Sequence, residues 1–112
     1  MELPSNDLHV DDIAELQTAA IVMGAETPDN IRLDPRRVIE ILQRIWWIPE
    51  WGVEYKDGIL KLHTGGWSDN EYIIRILCNT LFWAMYWEES RRGGHYKFDL
   101  TRVKDREEEI NR

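Results

Sequence analysis

Three observations in this 112-residue chain predict an α+β fold. Two stretches before residue 50 place apolar residues at helical spacing. The segment from Trp51 to His63 alternates across an Asp57-Gly58 turn. A third helical stretch then separates that hairpin from further strand-like sequence ending at Leu100. The predicted order is α-α-β-β-α-β-β, with helices packed on a four-stranded, mainly antiparallel sheet. The length allows one core, so residues 1–104 are read as a single α+β domain and residues 105–112 as a charged C-terminal tail.

The first helix is expected from Leu8 to Met23. Ser5, Asn6 and Asp7 offer caps, Asp11, Asp12 and Glu15 suit the positive end of the helix dipole, and Gly24 closes it. Val10, Ile13, Leu16, Ala20 and Met23 form its apolar stripe, and GAETPDN follows as a loop. Asp34-Pro35 opens the second helix as N-cap and first helical residue. Val38, Ile41, Leu42 and Ile45 face inward, Ile39 and Trp46 widen that stripe, and Pro49 ends the helix.

The hairpin's register follows from its turn. Asp-Gly between alternating runs is a type I′ signal, and it pairs Lys56 with Ile59, Tyr55 with Leu60, Glu54 with Lys61, Val53 with Leu62 and Gly52 with His63. One face then holds Trp51, Val53, Tyr55, Leu60 and Leu62. The other holds Glu54, Ile59, Lys61 and His63, so His63 points away from the core. Ser68 and Glu71 make a capping box that starts the third helix, with Trp67 packed on Tyr72 and a stop near Asn79. Residues 81–88 read as a strand apolar on both faces, which places it at the centre of the sheet. A turn over 89–94 leads to a half-exposed last strand containing Tyr96, Phe98 and Leu100.

Charge is unevenly placed. Of the net −7, residues 1–34 hold eight acids against one base, while residues 35–112 balance. An acidic first helix favours a basic partner and repels a phosphate backbone, so nucleic acid is not the expected target. Asp11, Asp12 and Glu15 are the candidate acidic partner surface. No apolar run approaches the ~20 residues that span a bilayer, and MELPSND has neither basic start nor apolar stretch. The lone Cys78 leaves no internal disulfide and suits a reducing compartment, so a cytoplasmic protein is expected. Placed near a helix end, Cys78 reads as a buried structural thiol.

Four groupings bear on chemistry. Gly65-Gly66 before a helix start resembles an anion cradle, but Asp69 and Glu71 oppose an anion there, and the glycines read better as a strand-to-helix turn. His63, Trp67, Asn70, Arg91, Arg92, His95 and Tyr96 fall near the ends of strands that neighbour one another, and they form the candidate binding site. No nucleophile stands out and no paired carboxylates occur, so no catalytic residue is assigned. His9, His63 and His95 share no ligand spacing and no CxxC pair exists, so no metal or cofactor is assigned either. Trp83, Met85 and Trp87 form an aromatic row that reads as core beneath the helices.

The run LHTGGWSDNE, an isoleucine-rich helix and LFWAMYWEESRRGGHY resembles small uncharacterised proteins of tailed phages and prophages that carry a GGWSxNE…RGGHY pattern. Gly65, Gly66, Trp67, Ser68, Asn70 and Glu71 match its first part, and Arg92, Gly93, Gly94, His95 and Tyr96 its second. The resemblance covers about the C-terminal half. It implies an accessory protein working in the host cell cytoplasm, without implying a reaction. The expected function is therefore a small, acidic, non-enzymatic binding protein that engages a host or defence protein. The alternative is a small-ligand or nucleotide-binding protein, or an enzyme, built on His63, Ser68, Arg92 and His95. Neither reading fixes an oligomeric state.

Overall fold

A computed structural model describes residues 8–24 and 32–103 of the chain. The expected caps at Ser5, Asn6 and Asp7, most of the GAETPDN loop and the tail at 105–112 lie outside the described residues. Helix α1 spans Val10–Ala20, with Leu16 and Ala20 buried and Ile13 packed against the core. It is shorter than its apolar stripe implies. Ile21 adopts φ +62 and Val22 leaves the helix to bridge Thr80, so the chain is tied off before Gly24. Val10, counted in that stripe, is 84% exposed.

Helix α2 spans Pro35–Ile45, with Pro35 at its first position and the Asp34 carboxylate accepting from Arg37 N–H at 3.2 Å. Val38, Ile39, Ile41, Leu42 and Trp46 are buried. Pro49 does not simply stop this helix; it begins a second short turn, α3, Pro49–Gly52. Strands β1, Val53–Lys56, and β2, Ile59–His63, then pair antiparallel in the four-pair register set by the turn, Val53↔Leu62 through Lys56↔Ile59. Asp57 and Gly58 both take positive φ, +53 and +81, as a type I′ turn requires. Gly52 belongs to α3, so its expected pairing with His63 is absent from the ladder.

Helix α4 spans Ser68–Leu77 and buries Ile73, Ile74 and Leu77. Ser68 is its first helical residue rather than its N-cap; Trp67 stands at the cap position and its carbonyl accepts from Glu71 N–H at 3.0 Å. The predicted strand over 81–88 is corrected. Residues Leu81–Tyr86 form helix α5, and the strand begins only at Trp87. Thr80 decides this: its hydroxyl accepts from Trp83 N–H at 3.3 Å and donates to the Leu77 carbonyl at 2.6 Å, so it caps a helix start. Phe82 and Tyr86, one turn apart, stack at 5.4 Å. Ala84 and Met85 on the other side are exposed but apolar, so the helical period is invisible in the sequence.

Strand β3 covers Trp87–Arg91 and β4 covers His95–Asp99, so residues assigned to the turn over 89–94 are partly strand. The sheet is four-stranded and wholly antiparallel in the order β1-β2-β4-β3. The α+β architecture survives the correction because β3 takes the place of the misread strand, at an edge rather than in the middle. Its bulge between Trp87 and Glu89 and its charged residues suit an edge. Leu60, Leu62 and Phe98 face a core shared with Leu16, Ile41, Leu42, Leu77 and Phe82. The opposite sheet face carries Glu54, Lys61, His63, His95 and Lys97. Among the described residues no helix is long and apolar enough to cross a membrane.

Candidate functional site

The two glycine motifs meet in space. Thr64 N–H donates to the Gly94 carbonyl at 2.9 Å, joining the loop after β2 to the turn before β4. The approach is so close that a Cβ on Gly94 would sit 1.9 Å from Thr64 Oγ1, and Gly94 also holds φ +79. Both facts demand glycine there. This junction fixes the β2–β4 register, which sets His63 directly opposite His95 and Lys61 opposite Lys97.

The histidines touch. His63 Nδ1 lies 2.8 Å from His95 Nδ1, and His63 Nε2 lies 2.6 Å from Glu54 Oε2. The hydrogen bond from His63 holds the Glu54 carboxyl below its ordinary value, so Glu54 is a carboxylate acceptor and Nε2 carries the proton. The His63 Nδ1–His95 Nδ1 contact requires one proton between the two nitrogens, whichever ring carries it. Glu54, His63 and His95 thus form one chain of polar contacts across three strands.

An open cleft of about 310 Å³ lies on this sheet face, lined by Lys61, His63, Glu89, Arg91, His95, Tyr96 and Lys97. Two cross-strand rows run across this sheet face and, apart from Glu54, line the cleft. One reads Glu54, Lys61, Lys97, Glu89 and the other His63, His95, Arg91. The flanking acids do not turn to the lysines. Glu54 binds His63, and Glu89 accepts from the Arg91 guanidinium, which holds the Glu89 carboxyl low. Lys97 Nζ reaches only Glu88, at 3.8 Å, and Lys61 makes no ion pair among the described residues. Tyr96 sits between sheet and α5, its ring 5.7 Å from Trp83, and burial pushes its phenol up.

Beside the cleft is an apolar surface. Trp47, Ile48, Trp51 and Trp67 are 42%, 42%, 52% and 47% exposed. Trp47 and Trp67 meet edge to face at 6.3 Å, Trp51 and Trp67 both flank Gly65, and Trp51 stands 5.9 Å from the His63 ring. Asn70, fully buried, holds the group together. Its Oδ1 accepts from Trp47 N–H at 2.7 Å, and its Nδ2 donates to the carbonyls of Trp47 and Thr64 at 3.1 and 3.2 Å. Next to Trp47, Ile48 adopts φ +57, ψ +65, a left-handed conformation that is strained for a β-branched side chain.

Comparison with protein-family models, with curated proteins and with solved structures returns no match. The site therefore rests on its own geometry.

Of the candidate binding residues, His63, Arg91, His95 and Tyr96 are gathered in the cleft. Arg92 is exposed in the following turn and does not line it. Trp67 lies in the apolar surface, paired with Trp47 rather than Tyr72. Asn70 is structural, with its amide satisfied internally. The acidic trio is partly engaged: Asp12 pairs with Arg44, and Glu15 with both Arg37 and Arg44, while Asp11 is exposed. Cys78, expected to be buried, is exposed, its thiol directed to the Arg75 carbonyl. Trp83, expected in a strand row, packs from α5 on Phe98 at 5.2 Å, whereas Met85 and Trp87 are exposed. Sequence reasoning missed Glu54, Lys61, Glu89 and Lys97 as a group. The hairpin register already placed Glu54, Lys61 and His63 on one face; the unread signal was the pairing of β2 with β4. Among the described residues no set of three or more His, Cys, Asp or Glu side chains is arranged to hold a metal ion.

Proposed function

We propose that this chain is a small phage-type accessory protein that works as a non-enzymatic binder of a host or defence protein, and that Trp47, Ile48, Trp51 and Trp67 form its contact surface. The phage setting rests on the GGWSDNE and RRGGHY resemblance. The observation that carries the binding reading is the exposure of three tryptophans side by side around one buried Asn70 clamp. Exposed tryptophan is costly to leave in water, and tryptophan is the commonest energetic anchor of protein interfaces. A strained Ile48 beside Trp47 adds to this, since backbone strain gathers at functional sites. The acidic first helix is the weaker candidate surface because two of its three acids are engaged by Arg37 and Arg44.

The test compares partner capture from a bacterial host lysate by the native chain and by two variants. W51A/W67A should lose the partner, by about thirtyfold or more in affinity once it is purified, while keeping native circular dichroism. D11N/D12N/E15Q should retain it. Equal capture by the native chain and W51A/W67A would overturn the contact surface.

A further inference from the structure

The two lysines on the cleft floor pose a physical problem. Lys61 and Lys97 are directly opposed on neighbouring antiparallel strands, where like charges destabilise. Carboxylates flank both, Glu54 across from Lys61 and Glu89 across from Lys97, yet each is spent elsewhere, on His63 and Arg91. The same cleft adds Arg91 and the His63–His95 pair. It thus concentrates three permanent cations and two imidazoles against a single lining carboxylate, on a chain whose net charge is −7. Glu54 and Glu89 attract the lysines only at longer range and Glu88 stands 3.8 Å from Lys97, so among the described residues no carboxylate is hydrogen-bonded to either ammonium.

We propose that this cleft binds a small dianionic oxyanion compound, a phosphate monoester or a dicarboxylate, held between Lys61 and Lys97 and capped by Arg91 and His95. Its volume of about 310 Å³ stands at the lower end of small-molecule sites, so the ligand is a metabolite-sized molecule and not a polymer. Arg91 supplies a planar fork for two oxygens, and the lysines supply point charges on the opposite side. Trp51, 5.9 Å from His63, stands at the cleft's edge, where a ring attached to the anion can lie against it. The anion site itself uses the polar face of the sheet and shares only Trp51, at its edge, with the tryptophan contact surface.

The experiment titrates the full chain with inorganic phosphate, adenosine monophosphate and succinate in separate arms. It follows backbone amide shifts, with sodium chloride of matched ionic strength as reference. Saturable shifts at residues 61, 63, 95 and 97 are expected in at least one arm. Phosphate and adenosine monophosphate responding without succinate assigns the phosphate class; succinate alone assigns the dicarboxylate class; a shift of the Trp51 indole N–H signal only with adenosine monophosphate assigns a stacked ring. K61Q and K97Q should each weaken binding about tenfold or more, E89Q should tighten it, and R92Q, outside the cleft, should leave it unchanged. Folding is separated from binding by thermal unfolding without ligand. K61Q, which removes both the repulsion from Lys97 and the attraction to Glu54, should keep a cooperative unfolding transition close to that of the native chain. The proposal is overturned if shifts in every arm match those of sodium chloride, or if K61Q and R92Q weaken binding equally.

Discussion

Asn70 shows how one side chain can carry a local structure. Its amide meets the Trp47 backbone at both N–H and C=O and also takes the Thr64 carbonyl, so two loops distant in sequence are held by three hydrogen bonds from one fully buried side chain. Asn70→Ala leaves the Trp47 N–H and C=O without their partner, while the Thr64 carbonyl keeps its bond from Trp67 N–H, and each such loss costs about 1–3 kcal/mol. We expect the variant to lose roughly 3 kcal/mol or more in urea unfolding at unchanged m, and an effect under 1 kcal/mol would refute the clamp. Glu54 behaves differently, being largely exposed. Its lowered pKa, caused first by the hydrogen bond to His63, means that its contribution is present above the ordinary value of 4.5 and is lost as pH falls through the lowered one. The stability gap between the native chain and E54Q should therefore close on acidification. A gap that stays constant from neutral pH into that acid range would show that the Glu54–His63 contact does not contribute.

At the scale of elements, α5 is the instructive case. Leu81 to Tyr86 looked like a buried strand because every residue is apolar, and an unbroken apolar run has no period to read. Thr80 was the available signal, a hydroxyl residue just before the run, and its cap to Trp83 is what favours the helix. Thr80→Ala should cost about 1 kcal/mol and Thr80→Ser much less; equal losses from both would show that the methyl group, not the cap, matters. By contrast four of the five expected β1–β2 pairs are legible, since Asp57-Gly58 fixes register by turn geometry alone, and only Gly52, taken into α3, departs from it. The Asp34-Pro35 start of α2 was legible for the same reason: a cap and its proline act locally. What sequence could not supply was long-range pairing. Nothing local says that β4 lies beside β2, and so the opposition of His63 to His95 and of Lys61 to Lys97 stayed hidden although all four residues were in view.

Over the whole molecule, the acid excess of the first 34 residues is partly compensated by structure rather than by sequence neighbours. Arg37 and Arg44 on α2 reach across to Glu15, and Arg44 also to Asp12, so the facing sides of two helices form a small ion network. All four side chains remain between about a quarter and a half exposed, so solvent screens the network and its worth is small, on the order of 1 kcal/mol or less. Screening also gives it a signature. At 0.1 M salt the Debye length is about 10 Å and at 1 M about 3 Å, so a surface network weakens across that range while a buried apolar contact does not. Glu15→Gln should lower the unfolding temperature slightly at low salt, and the difference from the native chain should shrink toward zero at 1 M sodium chloride. Leu16→Ala, one residue away but fully buried, should lose roughly 2–5 kcal/mol at both salt concentrations. If the Glu15→Gln deficit persisted undiminished at high salt, the contact between α1 and α2 would owe its strength to packing of the glutamate stem rather than to charge.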